Sequence, residues 1–267
     1  MTQQPHIEQA LNPYETAFSS YSGYRDENLV RLDDSGAPLS TEAFEAHDAF
    51  RAHIKDTSFP CIGAKASLNG NFYRYGFYPQ ITSEDATSGL AHDLWNYAHE
   101  QAAFWTNYAT FVACFEGPKI VDENEWERLL WGQLQGLHQL DIEHSGWDPT
   151  ISDDPEDAQF SFSFAGTGFF IVGLHQGASR LARRFAWPTM VFNVHAQFER
   201  LREEGLFERM QETIRSRDLK LQGSLNPNLS DFGKQSEAKQ YSGRPVEKEW
   251  KCPFNRLFGT GMKNPHE

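Results

Sequence analysis

The sequence predicts one α+β domain with a mainly antiparallel sheet flanked by helices. Signals for strands and hairpin turns outnumber what a regular βαβ alternation would give, and they lie between segments of helical periodicity. The chain has 267 residues, of which 39% are hydrophobic. One core can still grow to this size, so a single domain accommodates the whole pattern.

The first part of the chain divides into a polar segment and a helix. Residues 1–39 are rich in turn formers, including Asp33-Asp34-Ser35-Gly36, and we expect a loosely ordered arm or lid there. Ser40 is an N-cap candidate for a helix over 41–55, in which apolar residues recur at helical spacing. Residues 40–256 are predicted to be the domain proper, and 257–267 a C-terminal tail.

The middle of the chain predicts a hairpin, two helices and a buried strand. Asn69-Gly70 is a hairpin signal between a small apolar segment and an aromatic-rich one, so 61–78 is expected to be a β-hairpin. Residues 86–107 and 123–142 have helical periodicity, and 111–115 is a short apolar strand.

The stretch from Phe160 to Arg202 carries most of the chemistry. Phe160 to Phe164 alternate with serines at strand period, and a glycine-rich turn joins them to a second strand over 169–174. A short helix is expected over 177–185. A third strand over 190–194 and helices over 195–204 and 206–219 complete the prediction.

Charge and cysteine content exclude several classes of protein. The formal net charge is −13, which argues against a nucleic-acid partner and against an anionic membrane surface. No apolar run approaches the roughly 18 residues of a membrane span, and the N-terminus lacks the apolar region of a signal peptide. The odd number of widely spaced cysteines, three, favours a reducing cytoplasm over a disulfide framework.

A basic cluster follows the second strand of this stretch. On a helix, Arg180, Arg183 and Arg184 would share neighbouring faces and could grip carboxylates or phosphates, although a solvated basic face is the plainer alternative. Gly177 and Ser179 just before them favour an anion site at a helix N-terminus.

Two histidines and two cysteines are candidate ligands. His175 and His195 end neighbouring strands, and either could bind a metal, contact a ligand or cap a helix. Cys61 and Cys252 could supply a soft thiolate of the kind that suits iron, the alternative for Cys61 being a buried structural thiol. The sequence has no HExxH, GxSxG, P-loop or GxGxxG motif. No motif therefore supports a metalloprotease, a hydrolase or a nucleotide-binding protein.

Several long runs of residues resemble the YqcI/YcgG family over roughly residues 40–256. They are FPCIGAKA, FFIVGLHQGASRLARRF, FNVHAQFERLR, RSRDLKLQGSLNP, DFGKQSEAKQYSGR and WKCPF. Members of that family include haem-dependent N-hydroxylases of guanidino compounds, such as the enzyme that forms hydroxyarginine for D-cycloserine and the pre-guanitoxin N-hydroxylase.

The resemblance implies a haem b cofactor and a monooxygenase that N-hydroxylates a small guanidino or amino compound, with dioxygen and electrons from a reductase. The resemblance implies that six residues lie at the cofactor: His175, Ser179, Arg180, Arg183, Arg184 and His195. The arginines are expected to pair with the haem propionates. Cys61 is the expected axial ligand, and His195 and Cys252 are the alternatives. A cationic substrate would need a carboxylate, for which Asp141, Glu199, Asp231 and Glu237 are candidates. A homodimer is a further expectation.

Two other classes of function remain open at this point. One is a haem-binding or haem-sensing protein without turnover, which the Cys252-Pro253 dipeptide in a loop suggests. The other is a cofactor-free module that binds a small molecule.

Overall fold

A seven-stranded sheet with helices on both faces forms the molecule. The computed structural model describes residues 11–33, 37–104, 106–228 and 236–258. The strand order is β2-β1-β3-β4-β7-β6-β5, and all neighbouring strands are antiparallel except the parallel pair β3–β4. The predicted α+β class and its mainly antiparallel sheet are therefore confirmed. The strands are β1 (Ser22–Arg25), β2 (Asn28–Arg31), β3 (Tyr73–Tyr78), β4 (Thr110–Phe115), β5 (Phe162–Phe164), β6 (Thr167–Leu174) and β7 (Thr189–Val194).

Seven helices of α type lie within the described residues. Ser40 caps the first, since its side chain accepts a hydrogen bond from the Ala43 backbone N–H, and Asp122 caps the long fourth helix in the same way. The helices are α1 (Thr41–Lys55), α2 (Ile62–Asn69), α3 (Glu84–Glu100), α4 (Glu123–Asp141), α5 (His195–Glu203), α6 (Phe207–Gln222) and α7 (Ala238–Tyr241). The predicted helices at 41–55, 123–142, 195–204 and 206–219 are confirmed within a few residues.

Strand alternation divides the interior into two apolar layers. Phe111, Ile171 and Phe192 face α3 and α4 and belong to the larger core. Val112 and Leu174 point to the opposite face, where α1 and α2 cover part of the sheet. The second face is the one that positions the candidate site.

The predicted turn between the strands of the Phe160 region is confirmed in a slightly shifted position. Phe164 pairs with Thr167, so Ala165 and Gly166 form the two-residue turn. Both have positive φ, 51° and 67°, which is the conformation of the mirror-image turns that suit the twist of a hairpin.

Part of the N-terminal segment is ordered, unlike the loose arm expected there. Residues 22–31 form the β1–β2 hairpin, which extends the edge of the sheet beside β3. The buried carboxylate of Asp93 on α3 accepts hydrogen bonds from Ser19 Oγ, the Ser20 backbone N–H and Tyr78 Oη at 2.6, 2.7 and 2.7 Å. These bonds fix the segment against α3. Residues 34–36 of the predicted turn lie outside the described residues.

The predicted hairpin at 61–78 is wrong. Residues 62–69 form α2, and Gly70 is its C-cap rather than the centre of a hairpin turn. Tyr73–Tyr78 pairs in parallel with Thr110–Phe115 of β4. The Asn-Gly signal failed because a hairpin also needs a preceding strand, and here the pairing partner comes later in the chain.

Candidate functional site

A cavity of about 310 Å³ lies between the second face of the sheet and helices α1, α2, α5 and α6. Strands β6 and β7 supply its floor through alternate side chains, including Phe170, Val172 and Val191. Its roof comes mainly from apolar residues of the helices, among them Phe198 and Met210. A mainly apolar pocket of this kind with a few polar groups is the usual form of a small-molecule or cofactor site.

The thiol of Cys61 stands in the wall of this cavity. Cys61 is the N-cap of α2, and its Sγ accepts a hydrogen bond from the Ala64 backbone N–H at 3.4 Å. Burial raises the pKa of the thiol, while backbone hydrogen bonds from Ala64 and Gly63 act in the opposite direction. Backbone N–H groups at a helix N-terminus stabilise a thiolate, so this sulfur is suited to bind a soft metal centre.

Among the described residues, three charged side chains also line the cavity: Arg202, Arg215 and Glu237. Arg202 lies on α5 and contacts Glu199 through an ion pair of 2.5 Å, while Arg215 lies on α6. Burial raises the pKa of the Glu237 carboxyl to about 7. The cavity therefore combines apolar walls, a thiol, two guanidinium groups and an acid that changes charge near neutral pH.

A hydrogen-bonded row leads away from Glu237. Ser161 Oγ donates to Glu237 Oε2 at 3.0 Å and lies 3.3 Å from His195 Nδ1. On the far side of the ring, His195 Nε2 lies 3.4 Å from Glu199 Oε1. Burial lowers the pKa of His195, and the nearby Glu199 carboxylate partly opposes that effect. His195 is the first residue of α5, so the end of β7 places it beside this row.

The chemistry of the donor set fits a haem group. A flat apolar macrocycle needs apolar walls, the iron needs an axial donor, and the two propionates need cations. The cavity offers all three, with Cys61 as the donor and with Arg202 and Arg215 as the cations.

Comparison with known proteins identifies the family. The sequence profile of the YqcI/YcgG family matches residues 50–255. The chain belongs to the YqcI/YcgG family.

Two relatives come from Bacillus subtilis (strain 168). Uncharacterized protein YcgG is 30% identical over 244 residues, which cover 88% of this chain and 95% of the relative. Uncharacterized protein YqcI is 26% identical over 213 residues, which cover 76% of this chain and 83% of the relative. No solved structure matches the chain.

In this YqcI/YcgG protein, the short helix expected over 177–185 is absent. Only Leu181–Arg183 forms a 3-10 turn. The His175 backbone N–H donates to the Arg183 carbonyl and the Phe185 N–H donates to the His175 carbonyl, at 3.0 and 3.2 Å. These bonds close the segment into a loop, because they tie its C-terminal end to the end of β6.

The three arginines of that loop consequently have separate partners. Arg180 pairs with Asp218 of α6 and donates to the Ser224 carbonyl at 2.8 Å. Arg183 donates to the Tyr241 carbonyl at 3.0 Å, and burial lowers its pKa to about 10. Arg184 Nε donates to the Ala178 carbonyl at 3.0 Å. None of the three is among the residues that line the cavity.

Ser179 and His175 also lie away from the cavity. Both the backbone N–H and the hydroxyl of Ser179 donate to Glu123 Oε1, at 2.9 and 2.8 Å, so this position holds a carboxylate of the chain itself. His175 is buried and stacks on Trp126 with ring centroids 5.3 Å apart. Neither of its ring nitrogens has a hydrogen-bond partner in the part of the chain that the structure describes.

The two alternative iron ligands differ from Cys61 in position. Cys252 packs against the core on the α4 side of the sheet, and burial raises its pKa to about 12. His195 faces Ser161 and Glu199 with its two ring nitrogens. Of the three candidate ligands, Cys61 alone lines the cavity.

The candidate carboxylates are also separated by the fold. Asp141 accepts from Tyr14 Oη and the Ala165 N–H at 2.8 and 3.0 Å, away from the cavity. Glu199 pairs with Arg202 at the surface. Asp231 lies outside the described residues, which leaves Glu237 as the candidate in the cavity wall.

The sequence alone did not reveal the cavity-lining role of Arg202 and Arg215. Both lie on helices that were recognised by their periodicity, but nothing in the local pattern shows which distant strand a helix covers. Within the described residues, no helix is long and apolar enough to cross a membrane, and no group of three or more His, Cys, Asp or Glu side chains is placed to hold a metal ion.

Proposed function

We propose that this protein is a haem-dependent monooxygenase that N-hydroxylates a small, arginine-like guanidino or amino compound with dioxygen and external electrons. The observation that carries the proposal is the Cys61 thiol, held by a helix N-terminus in the wall of an apolar cavity, in a chain with the sequence motifs of the YqcI/YcgG family.

In this proposal the Cys61 thiolate would bind the iron of haem b. The apolar side chains of β6, β7, α5 and α6 would contact the macrocycle, and Arg202 and Arg215 would pair with the propionates. Bound there, haem supplies the activation of dioxygen, for which a thiolate ligand is apt. Arg202 and Arg215 thereby replace Arg180, Arg183 and Arg184 as the proposed propionate partners.

The chain itself positions and desolvates the substrate. Glu237 is the acid in the cavity wall, and its carboxylate provides the counter-charge for a guanidinium or ammonium group. The apolar walls exclude water, which strengthens that ion pair. The electrons come from a separate reductase, and the three free thiols suit a reducing cytoplasm.

The ferrous–CO spectrum tests which residue binds the iron. Protein reconstituted with haem is reduced under CO and compared with Cys61→Ala and with the matched variant Cys252→Ala. We expect the red-shifted Soret band of a haem–thiolate complex in the wild type and in Cys252→Ala, and its loss in Cys61→Ala. A wild-type protein that binds no haem, or a band of histidine-ligated type that persists in Cys61→Ala, contradicts the assignment.

Turnover is tested separately. The haem-loaded protein is supplied with a chemical electron donor and a panel of guanidines and amines, and oxygen consumption and hydroxylated product are measured. Product formation with at least one compound is expected. Stable haem without substrate-dependent oxygen consumption would instead favour a haem-binding or haem-sensing protein.

Recognition of the cation is tested without haem. Binding of n-butylguanidine is compared with that of n-butylurea, which has a similar shape but no charge. Loss of a charged hydrogen bond costs about 1.5–3 kcal/mol, so Glu237→Gln should weaken n-butylguanidine binding by roughly 10- to 100-fold and leave n-butylurea unchanged. The exposed Glu203→Gln on α5 is the matched control, with both affinities expected to match wild type. Equal losses for both ligands would contradict a role of the charge.

A further inference from the structure

A row of four side chains connects the cavity with solvent. Glu237 lines the cavity and Ser161 Oγ donates to it at 3.0 Å. His195 Nδ1 follows at 3.3 Å from Ser161 Oγ, and Glu199 Oε1 lies 3.4 Å from His195 Nε2. Each group in the row can both give and take a proton, and each gap has the length of a normal or slightly long hydrogen bond.

Burial changes along the row in one direction. Ser161 is fully buried, and the side chains of Glu237 and His195 are 12% and 5% exposed. The Glu199 side chain is 45% exposed and reaches water. The row therefore begins at a desolvated acid in the cavity and ends at the protein surface.

We propose that Glu237, Ser161, His195 and Glu199 form a proton-transfer chain that carries the proton of a cationic nitrogen from the cavity to solvent. The inference rests on the proposed function for its ligand class. An ammonium nitrogen has no free lone pair, and the lone pairs of a guanidinium are delocalised into the cation. Either nitrogen must lose a proton before it can accept an oxygen atom, and a buried ligand needs a route for that proton.

The transfer balances with no co-reactant. The nitrogen gives its proton to the Glu237 carboxylate, and protonated Glu237 then donates to Ser161 Oγ. The Ser161 hydroxyl proton moves to His195 Nδ1 while the proton on His195 Nε2 moves to Glu199, which releases it to water. After the transfer the serine is unchanged and the imidazole is the other neutral tautomer. To reset the row, the hydroxyl rotates and the ring swings so that Nδ1 reaches water, where Nδ1 releases its proton and Nε2 takes one up.

The electrostatic surroundings support this exchange. Burial raises the pKa of Glu237 to about 7 and lowers that of His195 below its ordinary value, so near neutral pH the acid exchanges its proton while the imidazole is neutral and able to accept one. An acid whose pKa lies near the working pH can both take up and release a proton there. The titratable and charged groups that act on the pair are Glu199, Arg202, Asp148 and Tyr241, together with the Ser161 hydroxyl.

Histidine NMR on the haem-free protein tests whether the row is coupled. Protein with 15N-labelled histidine rings is titrated, and the His195 signal is assigned with His195→Gln. In wild type the signal should record its own titration and a second one near pH 7 that belongs to Glu237. Glu237→Gln should remove the second titration, because the group that changes charge near pH 7 is lost. Identical His195 titrations in the two proteins would overturn the proposal.

Kinetics of the haem-loaded protein test whether the row is used. His195→Gln should lower kcat about tenfold or more, leave KM within about twofold and increase the solvent deuterium isotope effect on kcat. The control is His138→Gln, which changes a buried histidine on α4 outside the row and should match wild type in all three quantities. An unchanged kcat and isotope effect in a folded His195→Gln protein refutes the chain. A protein that binds no haem refutes the proposed function, and the NMR comparison then decides the chain by itself.

Discussion

Removal of the Glu237 charge is expected to stabilise the protein and to do so more strongly as the pH rises. The carboxyl has a pKa of about 7 in the folded protein against an ordinary value of 4.5, because burial disfavours its charged form. The folded state therefore holds a proton that the unfolded chain has already lost between these two values. By linkage, the free energy of unfolding falls as the pH rises through that window.

The size of the effect follows from the shift. A difference of one pKa unit corresponds to 1.36 kcal/mol, so the shift to about 7 amounts to about 3 kcal/mol of destabilisation once the pH exceeds both values. At pH 5 the same relation gives a destabilisation of only about 1 kcal/mol, since most of the folded molecules still carry the proton. Glu237→Gln, which keeps the shape and stays neutral, should recover about 2 to 3 kcal/mol more at pH 8 than at pH 5.

Urea denaturation at several pH values between 5 and 8 measures this difference. The curves of wild type and Glu237→Gln should diverge with rising pH, while those of the exposed control Glu203→Gln should follow wild type. A stability difference that stays constant from pH 5 to 8 would refute the assignment of a buried, partly protonated acid to this position. A native site that is destabilised in this manner is typical of functional residues.

Other substitutions test the packing around the site. Arg180→Ala leaves the buried Asp218 carboxylate unpaired and should lower the free energy of unfolding by about 3–5 kcal/mol, measured in urea. The buried His175 has a pKa of about 4 against an ordinary 6.5, so it destabilises the folded protein at acid pH. His175→Phe should remove this effect and raise the free energy of unfolding at pH 4 by about 3 kcal/mol, measured in urea. Gly173→Ala places a Cβ 2.7 Å from Nε1 of Trp126, so the free energy of unfolding should fall by about 1–3 kcal/mol and the melting temperature should fall with it. An unchanged melting temperature would contradict the close packing.

Local sequence pattern was sufficient where the structure depends on nearby residues. The α4 helix has acidic residues in its first turn, an Asp122 cap and a regular apolar stripe, and these act within a few residues of each other. The β5–β6 hairpin also depends on nearby residues, because its turn and its paired strands are adjacent in the chain. The α+β class followed from the sum of such signals.

Local pattern failed where the backbone pairs with residues outside the segment that carries the pattern. Asn69-Gly70 has the composition of a hairpin turn, but the strand after it pairs in parallel with β4. The arginines near 180 have helical spacing, but their segment pairs with His175 at the end of β6. In the first case the backbone hydrogen bonds go to a distant strand, and in the second they return to the end of β6 rather than continue a helix.

The sequence by itself determined the family, the fold class and the residue types from which a site can be built. It singled out Cys61 and His195 and placed Glu237 among the candidate acids, because these side chains carry chemistry in any fold. Only the tertiary structure decided which of them meet. One cavity is lined by residues from four separate segments, Cys61, Arg202, Arg215 and Glu237, because the sheet brings those segments to the same face. Contacts between distant segments depend on the packing of the whole chain, which no local pattern contains.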